Sequence, residues 1–389
     1  MKYKQSLKFL QSKNYNFKEA KFGNGFALPK LAEVKKLIDA GSPFTLVGMP
    51  GVGATTFLRF LAMTDLAYFV FVDLYELTSP DKSGLFKLLL GKLSGDVAGK
   101  SDQQVLDLCH RELAKLAQRY PKVVIIFNRF QQLKRDFDPQ FFANLRCLRN
   151  ADRENIVIIA TANRTLAEIS PEALGGFNLS IFARNVYLQP YPEEDLIRTE
   201  PYYREGSKLN KDDLEKVCRF SGGHHVLFQL LLKSGRLGKP LDDPFIKLQV
   251  KQLYEYLSFT QRKTVLKIAL GKKIDKVDDY LLDVGLVKKT GKDFQLFTPL
   301  LTEYLQTCLP VKLPAKEAKL FALLKKNLGM LVGKEEIFHL LWPASEDFDL
   351  GSDWALNSLV YRMKKNPAFK SSGYIVESCK KLGYTLYKD

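Results

Sequence analysis

The stretch Gly48-Met-Pro-Gly-Val-Gly-Ala-Thr-Thr56 follows an apolar run, Phe44–Val47, and opens a helical pattern. Gly48, Gly53 and Thr55 occupy the positions of the phosphate-binding loop GxxxxGK[ST], which connects a strand to a helix. Glycines let successive backbone N–H groups converge on an anion, and the helix N-terminus favours negative charge. The stretch therefore predicts an anion-binding loop. The alternative is a strand-to-helix turn whose glycines serve close packing alone.

Two charged groups of an active nucleotide-hydrolysing site are missing. Ala54 stands where the pattern has the lysine that reaches the β- and γ-phosphates. A later apolar run, Val123–Phe127, is followed by Asn128 and Arg129, where active enzymes of this type place an aspartate for Mg²⁺. Because Mg²⁺ prefers carboxylates and phosphate oxygens, the sequence predicts negligible hydrolysis and weak, metal-independent nucleotide binding.

Other side chains offer alternative chemistry near this loop. Asp73 and Glu76 follow the second apolar run and are candidate substitutes for the missing carboxylate. The histidines show no metal-ligand spacing except the adjacent pair His224–His225, for which packing is the alternative to ligation. Five scattered cysteines without a CxxC pair are typical of reduced thiols. No metal site is predicted.

Short apolar runs alternate with helical stretches as far as residue 190. Continuous apolar strands separated by helices are typical of a parallel sheet that is covered on both faces. After the run before the loop, the predicted strands are Ala67–Val72, Val123–Phe127, Ile156–Ala160 and Val186–Leu188. The predicted fold class is α/β: a P-loop NTPase parallel sheet with a helical lid, followed by two winged-helix domains.

The composition favours a soluble protein with a polyanionic partner. The 389 residues are 46% hydrophobic, and 59 Lys+Arg against 43 Asp+Glu leave a net charge of +16. A lysine-rich proteome is the alternative explanation of that charge. No apolar run approaches the roughly 18–20 residues of a membrane span, and the first residues lack an apolar signal core. We therefore expect a cytoplasmic protein without a membrane partner.

Residues 31–190 resemble the ATPase domain of the AAA+/STAND group of P-loop NTPases. Asn163 falls where that group has a polar sensor at the end of the fourth strand, and Ser221-Gly-Gly-His224 is similar to the SGGH of its lid, with His225 replacing the proline that follows. The resemblance implies a nucleotide site, degenerate here, for weakly bound ATP or ADP. Its residues are Gly48, Gly51, Gly53, Thr55, Thr56, Asn128 and Asn163.

Residues 315–389 resemble the OmpR/PhoB-type winged-helix domain of bacterial transcription regulators. The resemblance rests on VGKEEIFHLLW (332–342), LVYRMKK (359–365) and KKLGYTL (380–386). It implies a recognition helix and a wing that bind double-stranded DNA. The receiver domain that usually accompanies this family is absent upstream, so control by phosphorelay is not expected.

The residue pattern of the predicted recognition helix supports DNA binding independently of the family resemblance. Leu356, Leu359, Val360 and Met363 form one apolar stripe, which leaves polar and basic side chains on the opposite face. A basic face beside a basic hairpin suits a DNA groove and its phosphates. The predicted DNA-binding residues are Asn357, Ser358, Tyr361, Arg362, Lys364, Lys365, Lys380 and Lys381. The alternative is a solvated face on a protein-binding module.

The motifs divide the chain into five segments. These are an N-terminal extension (1–30), a P-loop NTPase-like α/β domain (31–192), a helical lid (193–244), a winged-helix-like domain (245–310) and the C-terminal winged helix (311–389). Acidic residues crowd the presumed recognition helix of the fourth segment, so we expect it to pack against the ATPase-like part rather than bind DNA.

The sequence as a whole predicts a DNA-binding transcription regulator. Its P-loop domain would be a sensing or assembly platform that does not hydrolyse nucleotide, with homo-oligomer formation left open. One alternative is an AAA+ ATPase acting in replication initiation or DNA remodelling. The other is a STAND-like signalling scaffold whose winged helices bind protein.

Overall fold

The computed structural model of the chain describes residues 15–174, 181–204, 209–291, 293–307, 313–342, 350–370, 372–379 and 382–388. The chain divides into two compact units. The P-loop unit takes in the described residues up to Gln249 together with Val277–Pro299. The C-terminal unit takes in Val250–Lys276 and the described residues from Leu300 onward.

A five-stranded parallel sheet forms the centre of the P-loop unit. Its strands are β1 (Phe44–Gly48), β2 (Tyr68–Asp73), β3 (Val123–Asn128), β4 (Ile156–Ala162) and β5 (Asn185–Leu188). Their order across the sheet is β2-β3-β4-β1-β5, and all neighbouring pairs are parallel. Because parallel strands end at the same edge, the residues that follow β1, β3 and β4 are brought together there.

Helices and short 3-10 turns connect these strands. Every residue of β1, β3 and β4 is buried, so the apolar runs of the sequence are covered on both faces. The helices are α1 (Leu28–Asp39), α2 (Ala54–Ala62), α3 (Lys82–Leu93), α4 (Asp102–Arg119), α5 (Pro139–Arg149) and α6 (Leu166–Ile169). Among the described residues, the 3-10 helices are Lys18–Phe22, Leu74–Glu76, Phe130–Asp136, Glu200–Tyr202 and Pro240–Asp242.

A helical segment follows the sheet within the P-loop unit. Its helices are α7 (Glu193–Thr199), α8 (Lys211–Ser221) and α9 (His225–Ser234). Gly222 ends α8 with a left-handed conformation (φ 58°), and the ring of His224 caps α9 by accepting a hydrogen bond from the N–H of Leu227. The SGGH stretch is therefore the turn between two helices, which brings His224 and His225 back toward the sheet.

The segment from residue 244 to residue 307 contributes elements to both units. In chain order they are α10 (Pro244–Glu255), α11 (Phe259–Ala269), α12 (Asp279–Asp283), β6 (Val287–Thr290), β7 (Asp293–Leu296) and α13 (Pro299–Thr307). The hairpin β6–β7 is antiparallel, as the sequence predicts. Within the P-loop unit, the hydroxyl of Thr298 donates to the carbonyl oxygen of Phe220 and the hydroxyl of Tyr280 donates to that of Asn163.

The C-terminal unit ends in a small α/β arrangement. Its elements are α14 (Ala315–Lys326), β8 (Leu331–Gly333), α15 (Lys334–Leu341), α16 (Leu350–Lys365), α17 (Pro367–Lys370), β9 (Tyr374–Cys379) and β10 (Gly383–Lys388). The three strands form an antiparallel sheet in the order β8-β10-β9. The helices and the sheet share one apolar core that includes Leu320, Ile337, Leu356 and Leu386.

The α/β fold class with its parallel sheet is confirmed, and the predicted strands lie within a residue or two of their observed ends. One strand is missing from the sequence prediction. Leu331–Gly333 is too short to show an alternating pattern, and it is recognised as β8 only through its pairing with β10. Among the described residues, no helix is long and apolar enough to cross a membrane.

Candidate functional site

The loop between β1 and α2 borders a cleft of about 440 Å³. Gly51 and Gly53 have φ values of 82° and 110°, a conformation that side chains disfavour, so the loop turns sharply into the N-terminus of α2. All of the predicted nucleotide-site residues line this cleft: Gly48, Gly51, Gly53, Thr55, Thr56, Asn128 and Asn163. The fold thus gathers residues from three strands, β1, β3 and β4, around one opening.

The helical segment holds this loop by its carbonyl oxygens. The His224 ring Nε2 lies 2.8 Å from the carbonyl oxygen of Pro50, and the N–H of Val226 donates to that of Gly51. The hydroxyl of Tyr191 donates to the carbonyl oxygen of Gly53 over 3.0 Å. These contacts use carbonyl oxygens of the loop, so they fix its shape without occupying its N–H groups.

Close packing also explains the glycines of the loop. A Cβ atom on Gly51 would lie 2.7 Å from the ring of His224, and one on Gly53 would lie 2.7 Å from the ring of Tyr191. The packing alternative therefore has a physical basis of its own. The motif glycines are required by the lid whether or not a ligand binds.

Asn128 stands where an active site has a carboxylate, and it is hydrogen-bonded to residues of the loop and of the neighbouring strands. Its side-chain oxygen accepts hydrogen bonds from the hydroxyls of Thr55, over 3.1 Å, and Thr161, over 3.3 Å. Its amide nitrogen donates to Asp73 over 3.0 Å. The side chain is fully buried, so the amide preserves the hydrogen bonds of the site while removing the negative charge.

Asp73 is engaged by positively charged side chains. The guanidinium of Arg129 donates to both of its carboxylate oxygens, and Arg59 approaches it to 3.9 Å. Arg129 also lies over the ring of Tyr75, with its Cζ atom 3.8 Å from the ring centroid. Glu76 pairs with Lys92 over 2.6 Å. Neither Asp73 nor Glu76 lines the P-loop cleft, so the structure does not bring these candidate substitutes to the loop.

The two adjacent histidines are buried in the helical segment that follows the sheet. Burial lowers the pKa of His224 to about 4 and that of His225 to about 3, which keeps both rings neutral at physiological pH. The Nε2 atom of His225 lies 2.7 Å from the amide nitrogen of Gln229 and 3.2 Å from the hydroxyl of Tyr203. Among the described residues, no group of three His, Cys, Asp or Glu side chains is placed to hold a metal ion.

The cleft fits an anion better than a metal ion. Its described lining contains Arg59 and Arg129 but no carboxylate. Among the described residues, three buried polar atoms around it lack hydrogen-bond partners: Nε of Arg59, which is a donor, Nδ1 of His225, and Oε1 of Gln131, which is an acceptor. Such atoms are costly to bury unless a ligand or water contacts them. A nucleotide polyphosphate suits the backbone N–H groups and guanidinium donors, whereas Mg²⁺ would lack negatively charged protein oxygens.

Helix α16 presents the second predicted site. Leu356, Leu359, Val360 and Met363 are buried in the C-terminal core, as the stripe predicts. On the other side Asn357, Tyr361, Arg362 and Lys365 are exposed, and Ser358 and Lys364 are partly exposed. Asn357 accepts a hydrogen bond from the hydroxyl of Tyr384, which links the helix to the hairpin. Lys380 and Lys381 lie outside the described residues.

Two features of these sites were missed by the sequence analysis. Arg59 lies on α2, five residues after the position of the absent lysine, and a search for replacement charges on that helix would have found it. Trp354 is 75% exposed on α16, on the same face as Ser358 and Tyr361. Residue type alone did not separate this exposed tryptophan from a core residue.

Comparison with known proteins gives one family match. Residues 38–169 match an AAA domain. That range runs from the end of α1 to the end of α6 and contains the loop and strands β1 to β4. It covers about a third of the chain, and no curated protein matches.

Several solved structures are similar in fold. The Walker-type ATPase of Pyrococcus abyssi is 15% identical, with a TM-score of 0.48, over 72% of this chain and 95% of that one. The Aeropyrum pernix ORC1 protein in complex with DNA is 12% identical, with a TM-score of 0.42, over 93% and 88%. The Thermotoga maritima RuvB Holliday junction branch migration motor is 14% identical, with a TM-score of 0.37, over 73% and 96%.

The AAA domain match supports the AAA+ part of the sequence prediction. The OmpR/PhoB-type domain and the STAND relationship find no support in the comparisons and stay predictions, as do the domain boundaries.

Proposed function

We propose that this protein is an AAA-type P-loop protein that binds a nucleotide without hydrolysing it and binds duplex DNA through the exposed face of α16. The absence of hydrolysis rests on one observation: the side chain at the metal position is the neutral Asn128, and the carboxylate that it contacts, Asp73, is engaged by Arg129. Without a metal carboxylate and without the lysine at position 54, the γ-phosphate lacks the groups that promote its transfer.

The DNA part rests on the two-sided character of α16. Its apolar side is fully used by the C-terminal core, whereas Tyr361, Arg362 and Lys365 remain at the surface. An exposed helix of this kind beside an antiparallel hairpin suits the major groove and its phosphates. The net charge of +16 favours the same class of partner.

The AAA domain match supports the AAA+ part of one alternative, a protein of replication initiation or DNA remodelling. None of the comparisons supports the transcription regulator. We therefore propose that the protein acts on DNA as an AAA-type protein. A gene-regulatory role, a signalling-scaffold role and assembly into a homo-oligomer remain separate hypotheses.

Fluorescence anisotropy of the full chain with labelled duplex DNA tests the DNA part. We expect binding that weakens steeply with salt. The variant Arg362→Glu/Lys365→Glu should lose it, whereas Lys319→Glu/Lys326→Glu, which changes the charge equally on the exposed side of α14, should keep most of it. Equal loss in both variants would indicate attraction by net charge alone. Absence of binding by the wild type at low salt would favour the protein-binding scaffold.

A further inference from the structure

The two arginines that border the P-loop cleft have unused hydrogen-bond donors. Arg129 contacts Asp73 through Nη1 only, and its Nε and Nη2 atoms have no hydrogen-bond partner among the described residues. Arg59 lies 3.9 Å from both Asp73 and Glu19, beyond hydrogen-bond distance, and its buried Nε atom has no hydrogen-bond partner in the part of the chain that the structure describes. A guanidinium carries five N–H donors in a fixed plane, which matches the oxygens of a phosphate group.

The backbone places Arg129 beside the P-loop cleft. Arg129 follows Asn128 directly, and its φ of 61° turns the chain sharply at the end of β3. Its N–H donates to the hydroxyl of Thr161 over 2.7 Å, and this contact anchors the turn. Asp73 and Asn128 are register partners on β2 and β3, so the carboxylate that holds the guanidinium comes from the neighbouring strand.

We propose that the site takes a nucleoside di- or triphosphate free of Mg²⁺, with Arg129 and Arg59 supplying the positive charge that Mg²⁺ and the loop lysine provide elsewhere. This inference rests on the proposed nucleotide binding. Asp73 accepts hydrogen bonds from Arg129 and so competes with the phosphates for its guanidinium. Mg²⁺ is a competitor, because it neutralises the phosphate charge that the arginines recognise and finds no free carboxylate in the cleft.

Isothermal titration calorimetry of the full chain with ADP and ATP tests the inference, once with EDTA and once with excess Mg²⁺. We expect affinity at least tenfold higher in EDTA. Arg129→Gln should lower the affinity in EDTA by about tenfold to a hundredfold, the range for a hydrogen bond to a charged group. Lys134→Ala, which removes an exposed cation from the adjacent 3-10 helix, should leave it unchanged.

Asp73→Asn keeps both arginines, and it should change the nucleotide affinity in the opposite direction. Removing the competing carboxylate should raise the affinity in EDTA by about fivefold. Thermal unfolding and circular dichroism verify that each variant is folded. Binding that requires Mg²⁺, or that is unchanged in both Arg129→Gln and Asp73→Asn, would overturn the inference while leaving nucleotide binding intact. Absence of wild-type binding in both buffers would overturn the proposed nucleotide function itself.

Discussion

The polar side chains beside the P-loop cleft and those on helix α16 differ in their partners. Beside the P-loop cleft, Asp73 accepts hydrogen bonds from the side chains of both Asn128 and Arg129. On α16, Arg362 and Lys365 extend from a buried apolar stripe into solvent. The function of the first region therefore depends on contacts that cross strands. The function of α16 depends on which face of this one helix is exposed. Substitutions beside the cleft should therefore change stability as well as binding, whereas substitutions on the exposed face of α16 should change binding alone.

The largest expected effect is a loss of stability of the P-loop unit in acid. Unfolded histidine takes up a proton below a pH of about 6.5, whereas folded His224 stays neutral down to a pH of about 4. The unfolded state then binds more protons, so stability falls as pH drops from about 6.5 to about 4, by about 3 kcal/mol from this residue. Hydrogen exchange against pH at β1 and at α16 measures each unit separately.

The variant His224→Asn provides the control for this pH dependence. Asparagine keeps an acceptor that caps α9 but does not titrate, so the profile at β1 should become flatter. His224 and His225 both lie in the P-loop unit, so hydrogen exchange at α16, in the C-terminal unit, should change less with pH. An unchanged slope in His224→Asn would show that another group causes the acid sensitivity.

The next largest expected effect is a difference in the stability cost of removing two arginines, Arg129 and Arg362. Arg129→Ala leaves the buried carboxylate of Asp73 with two neutral donors, the amide of Asn128 and the N–H of Tyr75, and with Arg59 at 3.9 Å, so the free energy of unfolding should fall by about 2–3 kcal/mol. Arg362→Ala removes an exposed side chain and should cost less than about 0.5 kcal/mol. Urea unfolding followed by hydrogen exchange at β3 and α16 tests both. Equal costs would contradict the contrast between the regions.

On DNA, Arg362→Ala should weaken binding by about 1–3 kcal/mol and relax the sequence preference at one position, as expected if its guanidinium contacts a guanine edge. Competition among a set of duplexes with single base changes measures this effect. A loss that is the same for every duplex would place Arg362 on a phosphate instead.

The smallest effect is expected from Lys365→Ala. A lysine that contacts a phosphate contributes equally to all sequences, and its loss should reduce the slope of log K against log salt by about 0.9. The same change is predicted for Lys380→Ala and Lys381→Ala, which the sequence pattern assigns to the wing. Salt titrations of the full chain compare the slopes. A variant with the wild-type slope would exclude its lysine from phosphate contact.

Local pattern predicts the elements of this fold better than it predicts their contacts. The parallel sheet follows from continuous apolar runs, and the core side of α16 follows from a stripe with helical spacing. By contrast, the order β2-β3-β4-β1-β5 depends on long-range pairing that no local pattern encodes. The single strand that was missed, β8, has three residues and exists only through its partner.

The candidate site shows the same limit. The loop and Asn128 were identified from motif positions, and the structure gathers them around one cleft. The link between Asp73 and Arg129 spans 56 residues and depends on β2 lying beside β3. The sequence shows only that a positively charged residue, Arg129, stands where active enzymes have acidic residues. The structure shows that Arg129 pairs with Asp73 and that its Nε and Nη2 atoms have no hydrogen-bond partner among the described residues.

Release of phosphate from ATP by the full chain is the most direct test of the central claim. The assay contains Mg²⁺ and is run with and without duplex DNA. The account predicts no turnover above that of a Thr55→Ala variant, with bound nucleotide recovered unhydrolysed. Turnover of about 1–100 s⁻¹ that disappears in Thr55→Ala would show that the site is an active ATPase and contradict the account.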